Sequence, residues 1–118
     1  MTPSEQIPSG ASVFLCLAAT DMRKSFDGFT DLVRSEFSRA PNDGSLFLFI
    51  NRRRDRIKIL YWETGGFALW HKRLESGSFE TVKGNNNESA VAIDATELSM
   101  LLSGISLQSV KRCKRFVA

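Results

Sequence analysis

From Leu46 onward the apolar residues stop recurring at helical spacing and fall into short runs, each closed by turn residues. That change of period restricts the chain to folds whose centre is a sheet. Leu46-Phe47-Leu48-Phe49-Ile50 is continuously apolar, as a strand covered on both faces requires. The polar connection Asn51-Arg52-Arg53-Arg54-Asp55 follows it, and a second run over 57–62 leads to the turn Thr64-Gly65-Gly66. The chain then returns over 67–74, and Ser76-Gly77 turns it into a strand expected over 79–82. Val91-Ala92-Ile93 adds one more short strand beyond the exposed loop Gly84-Asn85-Asn86-Asn87-Glu88-Ser89. These spacings predict an antiparallel β-meander of four to five strands.

Ahead of the meander, the apolar run over 13–19 reads as a buried strand. Met22, Phe26, Phe29, Leu32, Val33 and Phe37 then fall within about 140° of arc at about 100° per residue, so a helix is expected from 22 to 39. Thr20 or Asp21 offers the N-cap oxygen, and Pro41-Asn42-Asp43-Gly44 supplies the stop. The solvent face carries Arg23, Lys24, Asp27, Asp31 and Arg34, with Arg23 and Asp27 spaced to pair. A second, short helix is expected near 95–103. There Asp94 and Glu97 form a capping-box pattern, Leu98, Leu101, Leu102 and Ile105 recur at helical spacing, and Gly104 is the stop. The class is α+β, a meander packed against one long and one short helix. With 118 residues there is one domain, placed at 13–106, preceded by a flexible arm over 1–12 and followed by a basic tail over 107–118.

The net charge of +3 conceals a segregation along the chain. Residues 1–50 carry four basic and six acidic side chains, 51–83 eight and four, 84–110 none and three, and 111–118 four and none. Cys16 and Cys113 match neither a disulfide framework nor a metal spacing, so both are expected as free thiols in a reducing, cytoplasmic setting. The run over 13–19 is too short to span a bilayer, and no membrane association is expected. Phosphate-cradling glycine motifs and Cys/His ligand strings do not occur, so neither a cofactor nor a metal is expected. His71, between Trp70 and Lys72, reads as a strand side chain, although a pairing with Cys16 or Cys113 remains open. Asp21, Asp27, Asp31 and Asp55 are no more than a charged surface supplies.

The informative segment is 51–73. Arg52, Arg53, Arg54, Arg56, Lys58, Lys72 and Arg73 are interleaved with Tyr61, Trp62 and Trp70. Cations of this density neutralise phosphates, and aromatics stack on bases. Strand alternation puts Ile57, Ile59 and Tyr61 on one face and Lys58, Leu60 and Trp62 on the other, while Ala68, Trp70, Lys72 and Leu74 share a face of the next strand. Trp62 and Trp70 read as core under the first helix, the alternative being a sheet face that presents Lys and Trp. The arginines read as a functional surface at a hairpin tip, for nucleic acid or for an acidic protein. Trp70 together with Lys111, Arg112, Lys114 and Arg115 of the tail completes the candidate binding set.

Three strings carry a resemblance. They are Thr20-Asp21-Met22-Arg23-Lys24-Ser25-Phe26-Asp27-Gly28, the stretch from Leu46 through Asn51-Arg52-Arg53-Arg54-Asp55-Arg56 to Trp62, and the stretch from Gly66-Phe67-Ala68-Leu69-Trp70-His71 to Phe79. In this order they resemble the small TnpB-type accessory protein, the second open reading frame, of the insertion-sequence sixty-six family, over about residues 7 to 106. Leu98-Ser99-Met100-Leu101-Leu102-Ser103-Gly104-Ile105 is similar to that family's closing helix. The family more often has Gly at Ser25, Tyr at His71 and Trp-Pro at Glu80-Thr81. The resemblance implies a role in DNA transposition, with a separate transposase performing the strand chemistry. It also implies that this chain is no enzyme and that its basic hairpin surface binds the transposase, DNA or both. Two other readings compete: a subunit that binds the transposase and scarcely touches DNA, and a small enzyme using Cys or carboxylate chemistry.

Overall fold

The computed structural model describes residues 12–80 and 89–103, so the arm over 1–11, the loop over 81–88 and the tail from 104 lie outside the described residues. Strands β1 (Val13–Cys16), β2 (Leu46–Ile50), β3 (Arg56–Glu63), β4 (Gly66–Arg73) and β5 (Ala90–Ile93) form one sheet in the order β4-β3-β2-β1-β5. The α+β class is as the pattern predicts. Most neighbours are antiparallel, but β1 and β2 run parallel, with Val13 opposite Leu46 and Leu15 opposite Leu48. The sheet is therefore not a pure meander. The long helix lies between β1 and β2 in the chain, and a helical crossover returns the chain to the starting edge, which makes its two flanking strands parallel.

Alternation divides the apolar residues between two faces. Val13, Leu15, Leu46, Leu48, Ile50, Ile57 and Ile59 face one side and pack with Phe79, Ile93, Leu98, Leu101 and Leu102. Cys16, Phe47, Phe49 and Leu60 face the other and pack with Phe29 and Val33 of the long helix. The central strand β2 is buried at every position, which accounts for its unbroken apolar run. Helix α2 (Ala95–Leu102) covers the first side. Its capping box closes as the spacing implies: the Asp94 carboxylate accepts from Glu97 N–H at 2.7 Å, and the Glu97 carboxylate accepts from Asp94 N–H at 3.1 Å.

The long helix starts later than the period suggests. Helix α1 spans Phe26–Leu32, and its N-cap is Ser25, whose hydroxyl accepts from Gly28 N–H at 3.4 Å. Neither Thr20 nor Asp21 caps it. Asp21 instead takes the Arg23 guanidinium on both carboxylate oxygens, at 3.1 and 3.0 Å, as well as the Arg23 backbone N–H. The expected Arg23–Asp27 pair is thereby replaced, and the guanidinium holds the Asp21 carboxyl down to about 2. Over Val33–Phe37 the helix widens into a π-helical turn. The wider turn returns Phe37 to the sheet side, where its ring meets Phe47 at 5.2 Å and Phe49 at 5.6 Å between centroids.

The strand expected over 79–82 is not formed at Phe79 and Glu80, which are irregular. Phe79 is fully buried and acts as a plug for the α2 side of the sheet. A single buried aromatic at the end of a turn carries no period, so in sequence it is indistinguishable from the first residue of a strand.

Candidate functional site

The loop between β2 and β3 is organised by one side chain. The Asn51 carbonyl oxygen accepts from the backbone N–H of Asp55 at 3.1 Å and of Arg56 at 3.0 Å, while its amide donates to the Asp55 carboxylate at 2.7 Å. Backbone bonds close the same loop: Asn51 N–H donates to the Arg56 carbonyl, and Arg54 N–H to the Asn51 carbonyl. Two neighbours hold it from outside. Leu74 N–H donates to the Asp55 carbonyl at 2.8 Å, and Phe79 N–H to the Arg54 carbonyl at 2.6 Å. The amide on Asp55, with the charges of Arg53 and Arg56 adding to it, keeps that carboxyl below the usual carboxylate range. An Asn opening and an Asp closing a turn is local side-chain-to-backbone chemistry. In sequence the same five residues have only the composition of a polar connection, which does not distinguish a braced loop from a loose one.

Around this frame Arg52, Arg53, Arg54 and Arg56 are all exposed. Arg54 sits at φ 61, in the left-handed region that a side chain other than Gly, Asn or Asp seldom occupies. Arg73 pairs across the sheet with Arg56, so the loop end of the hairpin gathers a fifth guanidinium. Like charges directly opposite on neighbouring strands repel. Only Arg73 among the five has a carboxylate partner among the described residues, Glu75 at 3.2 Å, and that pair is largely exposed.

Lys58 and Lys72 are used differently. Lys58 Nζ donates to the Met22 carbonyl at 2.7 Å and lies 5.6 Å from the centre of the Phe29 ring, joining β3 to the approach to α1. Lys72 Nζ donates to the Leu102 carbonyl at 2.7 Å, the last residue of α2, where a cation also complements the helix dipole. Replacing Lys72 by Met keeps the stem and removes that bond. The expected loss is about 1–2 kcal/mol of folding stability, since the site is half open to water. Thermal melting checks this, and a variant that melts like the parent would show that the bond does not hold α2 to the sheet.

Neither tryptophan is core under the first helix: Trp70 is half-buried against the α2-side core on the opposite face of the sheet, and Trp62, at the end of β3, is 39 % exposed and meets Phe67 edge-on at 4.9 Å. His71 lies opposite Lys58, exposed; partial desolvation and then Lys58, Arg56 and Arg73 push its pKa down, so the ring is neutral at neutral pH. Cys16 is buried and free, its thiol pushed up by burial. Cys113, Lys111, Arg112, Lys114 and Arg115 lie outside the described residues. No three His, Cys, Asp or Glu side chains cluster among the described residues, and no described helix is long and apolar enough to cross a membrane.

A small α+β module that presents a braced arginine loop is the class that fold and surface define. Residues 11–112 match the family described as IS66 Orf2 like protein, and the chain belongs to that family. It is a family of accessory proteins of transposition, not known as catalysts. Two relatives come from Sinorhizobium fredii. Uncharacterized protein y4jC is 32 % identical over 87 % of this chain and 86 % of its own length, and Uncharacterized protein y4hO is 37 % identical over 84 % and 86 %. No solved structure matches.

Proposed function

We propose that this chain is a non-catalytic accessory protein of insertion-sequence transposition that binds duplex DNA through its phosphate backbone, using the arginine loop and the adjoining Arg56–Arg73 pair. The observation that carries the reading is the brace. Asn51, Asp55 and the Phe79 N–H fix the backbone beneath four arginines whose side chains make no hydrogen bond or ion pair among the described residues. Arginines carried on a fixed backbone lose less freedom on meeting phosphates than arginines on a loose loop. The repulsion between Arg56 and Arg73 is relieved when an anion lies across them. Lys111, Arg112, Lys114 and Arg115 would add cations to the same polymer, and Lys58, Trp70 and Lys72 support the surface from within the sheet. The domain proper is 13–106, between an arm and a basic tail, and it works beside the transposase with no cofactor.

Anisotropy titrations of labelled duplexes at several salt concentrations, one with an element-end sequence and one unrelated, together with a pull-down of the neighbouring transposase, test the proposal. Binding to both duplexes that weakens steeply with salt is the expected result. Capture of the transposase with no duplex binding at low salt would replace it with the reading of a protein-interaction subunit.

A further inference from the structure

The C-terminal ends of the two parallel strands leave a cleft of ≈ 140 Å³, lined by Cys16, Leu17, Ala18, Ala19, Ile50, Asn51, Arg52 and Arg54. Its walls are two segments of backbone joined where Thr20 N–H donates to the Ile50 carbonyl at 2.9 Å, while Leu17 N–H, donating to the Ser89 carbonyl at 2.9 Å, anchors the first of them to the chain ahead of β5. Crevices beyond the carboxyl ends of parallel strands are a recurrent place for ligands in sheets flanked by helices. Here the side chains at the mouth are small on the β1 side and guanidinium-bearing on the β2 side.

We propose that this cleft seats one phosphate group of a nucleic-acid strand, held by Arg52 and Arg54. The inference rests on the DNA reading above and adds to it a specific receptor. Charge selects an anion, the two guanidinium forks suit the oxygens of a phosphate, and a volume of ≈ 140 Å³ has room for a phosphate group but not for a base pair. The unusual φ of Arg54 also gains a reason. The left-handed turn puts this residue, and not its neighbour Arg53, on the cleft, so two arginines of one turn have different tasks. The phosphate could be an internal phosphodiester or a strand-end monophosphate.

Ala18 and Ala19 are exposed, so Ala19→Gln fills the cleft without removing a cation or a buried contact. It should weaken duplex binding about ten- to a hundred-fold, as should Arg52→Ser, with Arg53→Ser costing markedly less. Melting curves confirm that each variant is folded. Duplexes with 5′-phosphate and 5′-hydroxyl ends separate the two sources: a preference for the phosphorylated end that Ala19→Gln abolishes assigns the strand end, and equal binding with the Ala19→Gln loss assigns the internal phosphodiester. Inorganic phosphate, titrated at constant ionic strength, should shift the amide signals of Ala18, Ala19 and Asn51. Parent-like binding by Ala19→Gln, or amides unmoved by phosphate, would overturn the cleft while leaving the DNA reading intact. A parent that binds no duplex at low salt would overturn the DNA reading, and the phosphate titration would still report on the cleft alone.

Discussion

Phe79→Ala should cost about 3–5 kcal/mol of folding stability, a large part of the roughly 5–15 kcal/mol that holds a domain of this size. The ring is fully buried among Ile57, Ile59, Leu98 and their neighbours, yet it belongs to no strand, so nothing regular is positioned to close over the cavity it would leave. The same residue's N–H holds the Arg54 carbonyl, so loosening the ring also slackens the arginine loop. Urea unfolding reads the loss directly, and Phe79→Leu should recover most of it. A loss below about 1 kcal/mol for the alanine variant would mean that the ring does not plug the sheet.

Asn51→Ala should combine a loss of about 2–3 kcal/mol with about a tenfold weakening of DNA binding, although no cation is removed. Two N–H groups lose their acceptor and the Asp55 carboxylate loses its donor at once. Water reaches this half-buried position and limits the cost. The effect on binding arises because four guanidinium groups must then be ordered by the ligand. Asn51→Asp should not rescue either quantity, because it sets a second carboxylate against Asp55 in place of the amide. Paired denaturation and binding titrations check both. Unchanged affinity in a destabilised Asn51→Ala protein would show that the brace serves the fold alone.

Most of the sheet was legible because its evidence is periodic. The unbroken apolar run of β2, the alternation in β3 and β4 and the glycine turn at Gly65, which takes φ 79, each repeat a local rule several times. The capping box of α2 was legible for a different reason, since it needs only two residues of fixed type at fixed spacing. The start of α1 was not. Met22 lies on the apolar arc but belongs to the turn before the helix, where Asp21 and Arg23 satisfy one another. Nor could a pattern along one chain show that β1 runs parallel to β2, because pairing is set by where the crossover returns. The cleft follows from that pairing and was therefore invisible. The arginines stood out by density alone, whereas the Asn51–Asp55 brace beneath them is written in two residues whose chemistry also fits any polar turn.

The salt dependence of duplex binding by the Arg52→Ser, Arg53→Ser, Arg54→Asn, Arg56→Ser quadruple variant bears most directly on the arginine loop as a phosphate-binding surface. Asn tolerates the left-handed backbone at position 54, and exposed arginines carry little of the fold, so melting should change by no more than a few degrees. With Arg52 and Arg54 sharing one phosphate and Arg53 and Arg56 meeting at most one each, the slope of log affinity against log salt should be shallower than the parent's by about 2 to 3. A variant that is folded and binds with the parent's affinity and the parent's slope would contradict the role given to the loop.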